Sequence, residues 1–263
     1  MIAQREKKLD MMMSLASELG DKYGIIGCIW LSIHFQNQGH AFIVGIMASV
    51  SLLVSQTLKS IIREPRPFVI DEQIDVKACT LIDFGNPSSH TFMSASMFIT
   101  TIYLFYRHYS FKNKRRQNLI QLLVMMNCLL VCLYIIGFSR VFKGYHTYNQ
   151  IISGLIQGAL LALIPSFILY QDLFKFFLTL KHRPLVSVLI NRYTFVFFVF
   201  YGLAYQIHLD TKENFKVPEK WITTIQKRCP NIDLKKIDPE AVNFNKLMQT
   251  LMIVGSYLGS VFE

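Results

Sequence analysis

Residues 119–138 read LIQLLVMMNCLLVCLYIIGF. They run into SRVFKGYHTYNQ at 139–150, and then into IISGLIQGALLALIPSFILY at 151–170. Each apolar block matches the roughly 20 residues that a helix needs to cross a bilayer. The short connection between them is crowded with side chains that bind anions or carry protons. Working outward, the same alternation recurs. Residues 41–58, 88–106 and 185–207 are further apolar blocks; 23–35 is a shorter one that can recruit 15–19, and 247–261 closes the chain. Residues 173–180 are too short to cross and are interrupted by Lys175, so they read as an amphipathic piece lying at the interface. The predicted fold is all-α, a polytopic transmembrane helical bundle of six or seven spans. A closed barrel is the rival that backbone hydrogen bonding leaves, but its signature of short alternating runs is not seen.

Composition agrees. Hydrophobic residues make up 52% of the 263 and charged residues 17%, with 21 Phe and 12 Tyr, more apolar material than a soluble domain of this length has room to bury. The formal net charge of +10 lies largely between the apolar blocks, where it meets phospholipid headgroups. With no nucleic-acid motif beside it, the basic balance does not point to a nucleic-acid partner. Met1 to Lys8 is polar and basic, so no cleavable signal peptide is expected. None of the five cysteines has metal-ligand spacing, and Cys128 and Cys132, inside an apolar run, read as small buried hydrophobes.

Three polar clusters carry the chemistry. In the first, Lys59-Ser-Ile-Ile-Arg63-Glu64-Pro65-Arg66-Pro67, Lys59 and Arg66 share a face if the helix continues that far, and two converging cations can hold a phosphate dianion. In the second, Asn86-Pro87-Ser88-Ser89-His90, a loop enters an apolar helix. Pro87 and Ser88 suit a helix start, whose unpaired N–H groups and serine hydroxyls attract phosphate oxygens, and His90 is placed to protonate a leaving oxygen. The third runs from Ser139 to Gln150. Arg140 is a third cation there. His146 and Gln150 are four residues apart, so a helix lets the amide oxygen accept one imidazole N–H while the other nitrogen attacks phosphorus. Taken singly, each cluster has an ordinary reading, as headgroup contacts or helix caps. Together they arrive at one membrane face.

The pattern Lys59-x6-Arg66-Pro67, Pro87-Ser88-x-His90 and Ser139-Arg140-x5-His146-x3-Gln150 resembles the three-part signature of the type 2 phosphatidic acid phosphatase and vanadium haloperoxidase superfamily. The resemblance implies a helical core and, for membrane members, six spans with the active site outside or in the lumen. It implies hydrolysis of a lipid phosphate, a lipid pyrophosphate or, in the glucose-6-phosphatase branch, a sugar phosphate, without a metal or other cofactor. Carried over, it makes His146 the nucleophile of a phosphohistidine mechanism, His90 the acid, and Gln150 the residue that orients His146. Lys59, Arg66, Ser88, Ser89 and Arg140 become the phosphate-binding set.

Two positions depart from the usual signature. Ser89 stands where glycine is usual, and Gln150 stands where most lipid phosphatases have aspartate, though the glucose-6-phosphatase branch also has glutamine. An amide offers an imidazolium less than a carboxylate does, so replacing Gln150 by Asp is expected to preserve or raise activity.

Residues 1–263 then form one membrane domain with a catalytic core at about 41–170 and an extramembrane loop at about 208–246. The expected partners are a phosphorylated lipid or small phosphate ester and membrane lipids. The basic loops at 107–116 and 175–183 prefer the cytoplasm, which puts the three clusters on the lumenal or extracellular side of the endoplasmic reticulum, another endomembrane or the plasma membrane. Cys79 and Cys229 would share that oxidising face, as a pair or as free thiols. A sugar-phosphate phosphatase and a catalytically inactive membrane interaction or transport-associated protein are the competing functions.

Overall fold

The structure is a computed structural model that describes residues 2–74, 83–110, 115–180, 187 and 190–228. The final apolar block, the loop beyond residue 228, Cys79 and Cys229 lie outside the described residues. Within them every regular element is helical: α1 (Ile2–Leu19), α2 (Lys22–Phe35), α3 (Gln38–Ile62), α4 (Pro67–Ile70), α5 (Ser89–Ser110), α6 (Arg115–Phe142), α7 (Tyr148–Leu163), a π-helical turn (Ile164–Ile168), α8 (Tyr170–Leu180), α9 (Arg192–Asn214) and α10 (Glu219–Arg228). Two of the described helical stretches, Gln38–Ile70 and Leu119–Phe142, are long and apolar enough to cross a membrane.

The central helix is α5, packed on α2, α3, α6 and α7. Beside the apolar Phe92, Met97 and Leu104 it buries a set of small polar side chains, Thr91, Ser94, Ser96, Thr100 and Thr101. The Ser96 and Ser51 hydroxyls meet at 2.7 Å across the α5–α3 contact, and both also bond to carbonyls of their own helices. Such short side chains let helices approach where no water drives them together. The approach is closest against α7. A Cβ on Gly158 would lie 2.3 Å from the Phe92 carbonyl oxygen, and one on Gly154 would lie 2.5 Å from the Thr91 hydroxyl. Gly154 and Gly158 are four apart on one helical face, the small-xxx-small spacing that permits backbone contact.

The outer helices turn apolar side chains outward. On α6 Leu123, Val124, Leu130, Val131 and Tyr134 are exposed, as are Phe195, Phe198, Phe200 and Leu203 on α9. Cys128 and Cys132 are exposed on α6, not buried, because only a narrow strip of that helix, with Leu129 and Ile136, faces the bundle.

Several boundaries differ from the sequence reading. Residues 15–19 belong to a separate helix, since the chain turns at Gly20 and Asp21. The block at 151–170 breaks after Leu163, where Pro165, lacking an N–H, sits in the π turn. The short amphipathic segment is α8, whose Leu173 and Phe176 are buried. The stretch read as an extramembrane loop is partly helical. Residues 208–214 prolong α9, and α10 packs Ile225 and Trp221 onto Phe68, Val69 and Tyr145.

Adding one methyl at the α5–α7 contact leaves it nowhere to go. Gly158→Ala should therefore destabilise the protein by about 1–3 kcal/mol, lowering its thermal midpoint in detergent micelles. Gly202→Ala, with open space around the added carbon, should leave the midpoint unchanged or slightly raised.

Candidate active site

The site begins where α3 ends. Arg63 closes the helix in the left-handed region, at φ 54°, with its N–H on the Lys59 carbonyl. Its guanidinium then bonds Ser60 O, Asp210 and Thr211, tying α3 to α9. Because the helix stops there, Lys59 and Arg66 do not share a helical face as expected. They meet all the same, on a carboxylate. Lys59 Nζ donates to Asp83 Oδ2 at 2.8 Å, and Arg66 Nε donates to Asp83 Oδ1 at 2.8 Å, with Nη2 on the same oxygen. All three side chains are buried.

Arg66 also reaches the third cluster. Its Nη1 donates to the Tyr145 carbonyl at 3.1 Å and lies 3.2 Å from His146 Nε2. On the other edge of the ring, His146 Nδ1 is 2.9 Å from the Gly85 carbonyl and 3.3 Å from Gln150 Oε1. Both of those oxygens are acceptors, so Nδ1 carries the proton and Nε2 keeps its lone pair. Burial, followed by the charges of Arg66, Arg140 and Lys59, holds the His146 pKa well below the usual histidine range, and Asp83 opposes that shift.

The ring and Gln150 do not share a helix face. α7 starts at Tyr148 with Thr147 as N-cap, and Gln150 closes a capping box: the Thr147 hydroxyl takes the Gln150 N–H, and Gln150 Oε1 takes the Thr147 N–H. The fold-back brings the amide to His146. Its nitrogen is equally committed, donating to Glu64 Oε1 at 2.8 Å and to the Pro65 carbonyl at 2.9 Å. The other Glu64 oxygen accepts from Asn86 at 2.6 Å, and the Glu64 carbonyl accepts the Gly85 N–H at 2.7 Å. A carboxylate therefore stands behind the amide that stands behind the imidazole.

Ser88 precedes α5, and its N–H donates to the Gln150 carbonyl at 3.1 Å. Among the described residues the buried Ser88 hydroxyl has no hydrogen-bond partner, and neither does Arg140 Nε. These are two buried donors of the kind an oxyanion would satisfy. Arg140 Nη1 donates to Ser17 of α1 at 2.7 Å, and its guanidinium lies over the Tyr145 ring at 4.6 Å. Ser89, grouped by the sequence with the phosphate binders, accepts the Gln56 side-chain N–H of α3 on its hydroxyl oxygen at 3.2 Å. His90 is partly exposed, with Nε2 3.9 Å from Asp21 at the α1–α2 turn.

Sequence reasoning missed Asp83, Glu64, Gly85 and the contribution of α1. Glu64 stood inside a quoted motif and Thr147-x-x-Gln150 has capping-box spacing, so both could have been found. Nothing marked Asp83, 17 residues from Arg66.

The three clusters quoted from the sequence thus meet at one site. The sequence profile of the PAP2 superfamily matches residues 39–177, more than half of the chain, and the chain belongs to that superfamily. Among individual relatives, dolichyldiphosphatase 1 of Homo sapiens is 30% identical over 157 residues, 59% of this chain and 62% of that protein. The Plecturocebus moloch protein of the same name matches to the same extent. That of Mus musculus is 30% identical over 121 residues, 46% of this chain and 48% of its own. The match thus covers less than two thirds of these relatives' length. No solved structure matches the chain.

The geometry reverses the expectation for position 150. An acid there would aim oxygen at Glu64 and at the Pro65 carbonyl, replacing two donors with repulsion. Gln150→Asp and the closer isostere Gln150→Glu should each lower the thermal midpoint and reduce phosphate release by ~10-fold or more, about 1.4 kcal/mol. The exchange Glu64→Gln with Gln150→Glu should recover most of the lost midpoint. A second expectation follows from His146. Its folded pKa is depressed, so the stability it contributes is present above the unfolded value of about 6.5 and is lost as pH falls below it. The midpoint of the wild-type chain should fall between pH 7.5 and 5.5 more steeply than that of His146→Asn.

Proposed function

We propose that this chain is a membrane phosphatase that hydrolyses a lipid phosphate or lipid pyrophosphate through a phosphohistidine intermediate. One observation carries the reading: a buried imidazole of fixed tautomer, its Nε2 lone pair beside Arg66, within electrostatic reach of Lys59 and Arg140. In the proposed cycle Arg66 turns its N–H from His146 to a phosphoryl oxygen, joined by Arg140 and the Ser88 hydroxyl. His146 Nε2 attacks phosphorus in line, the bond to the leaving oxygen breaks, and His90 supplies that oxygen's proton. Water then attacks the phosphohistidine, the N–P bond breaks, and His90 takes the water proton. Positioning and preorganised positive charge are what phosphoryl transfer chiefly asks of a protein.

The similarity to dolichyldiphosphatase 1 favours a dolichyl diphosphate or a related long-chain diphosphate as substrate. The exposed apolar faces of α2, α6, α7 and α9 support a six-span reading in which α2, α3, α5, α6, α7 with its π turn, and α9 cross the bilayer. The catalytic ends then face the lumen, most simply of the endoplasmic reticulum. Arg107, which lies over the Tyr170 ring at 4.4 Å, marks the cytoplasmic end in that reading.

The test is phosphate release by the purified chain in detergent from dolichyl diphosphate, phosphatidate and glucose 6-phosphate. Dolichyl diphosphate should be turned over fastest and glucose 6-phosphate not at all; folded protein that releases phosphate from neither lipid overturns the reading. His146→Ala should abolish turnover and any acid-labile phosphohistidine. His90→Ala should cost ~10²- to 10⁴-fold on a monoester. It should cost less on a diphosphate, whose phosphate leaving group needs less help from an acid.

A further inference from the structure

The anion held by Lys59 and Arg66 is supplied by the chain itself. Asp83 spans both cations, with one carboxylate oxygen on Lys59 Nζ at 2.8 Å and the other on Arg66 Nε at 2.8 Å, and its own carbonyl shares that same Arg66 Nε–H at 3.2 Å. Its side chain is fully buried, and those of Lys59 and Arg66 are nearly so. Carboxylate and phosphate present the same pair of oxygens to a guanidinium fork. Arg66 Nη1 is committed to Tyr145 O and His146. A phosphoryl group and the Asp83 carboxylate therefore compete for the Arg66 Nε and Nη2 edge and for the charge of Lys59. Among the described residues Ser88 Oγ and Arg140 Nε have no hydrogen-bond partner.

The geometry points to Asp83 as an affinity-determining residue that competes from within for the phosphate-binding cations and must release them before an oxyanion settles fully. This rests on the phosphatase reading given above. The binding constant for any oxyanion is then weakened by the fraction of molecules in which the carboxylate has withdrawn. The factor applies equally to substrate and to released phosphate, yet their circumstances differ. A lipid is concentrated in the bilayer, while free phosphate is not. The internal competitor thus lowers retention of the product at little cost to occupancy by the substrate. A purely structural ion pair would hold the two cations in place and leave the affinity for phosphate unaltered or reduced when removed.

Asp83→Asn in the full chain, purified in detergent, separates these. The expected result is that orthovanadate and orthophosphate inhibit the variant at roughly tenfold lower concentration than the wild type, about 1.4 kcal/mol, and that KM for the lipid substrate falls with them. Unchanged or weaker inhibition overturns the inference. The substitution also removes the negative charge between two buried cations, so the variant should be less stable in phosphate-free buffer. Millimolar phosphate should raise its thermal midpoint more than it raises that of the wild type. A variant that folds only with phosphate supports the competitor role, and one that fails to fold even with phosphate contradicts it. Absence of lipid hydrolysis by the wild type would remove the phosphatase reading itself. Hydrolysis with unaltered inhibition removes only the role of Asp83.

Discussion

Everything at the site depends on how closely α5 and α7 approach. Gly154 and Gly158 bring the α7 backbone against Phe92 and Thr91, and at the end of that contact the Ser88 N–H reaches the Gln150 carbonyl. One close helix pair thereby fixes the start of α5 beside the start of α7, which juxtaposes the second and third clusters. The first cluster is delivered separately, by the left-handed stop at Arg63 and the Arg66 fork. The small polar residues along α5 extend this logic inward, since the Ser51–Ser96 contact holds α3 against α5 without bulk.

Buried charge is the second organising constraint. Lys59, Arg66 and Arg140 are each nearly inaccessible, and unpaired charges in such a place are costly. The chain answers with Asp83 for the first two, and with the Tyr145 ring and Ser17 for Arg140. Glu64 is used differently, bonded to the two amides of Asn86 and Gln150. Burial, seconded by the cations, holds the His146 pKa down, while the Gly85 carbonyl and the Gln150 amide oxygen fix the side of the ring from which its proton points.

The helical class and the three clusters were legible because they rest on local signals: apolar block length, loop composition and fixed spacing. What escaped were features made by distant partners. The expected helical face for Lys59 and Arg66 is absent because α3 stops at Ile62, yet Asp83 restores their convergence from far along the chain. Ser89 was grouped with the anion binders because its neighbours are, and the amide it accepts from, on Gln56, comes from a distant helix. Cys128 and Cys132 were read as buried because periodicity alone does not tell a helix facing protein from one with an exposed apolar flank. The helical continuation past residue 207 and the packing of α10 were missed because polar composition was read as loop.

Gln150 closes the cap of α7 and meets the imidazole with one and the same atom, its amide oxygen. Folding and reactivity are therefore not separable traits at this position. A substitution there acts on the number of intact molecules and on the competence of each one at once, so a fall in cellular output would measure their product. Lineages altering this residue would have to change Glu64 in step, which makes 64 and 150 a pair expected to drift together or not at all.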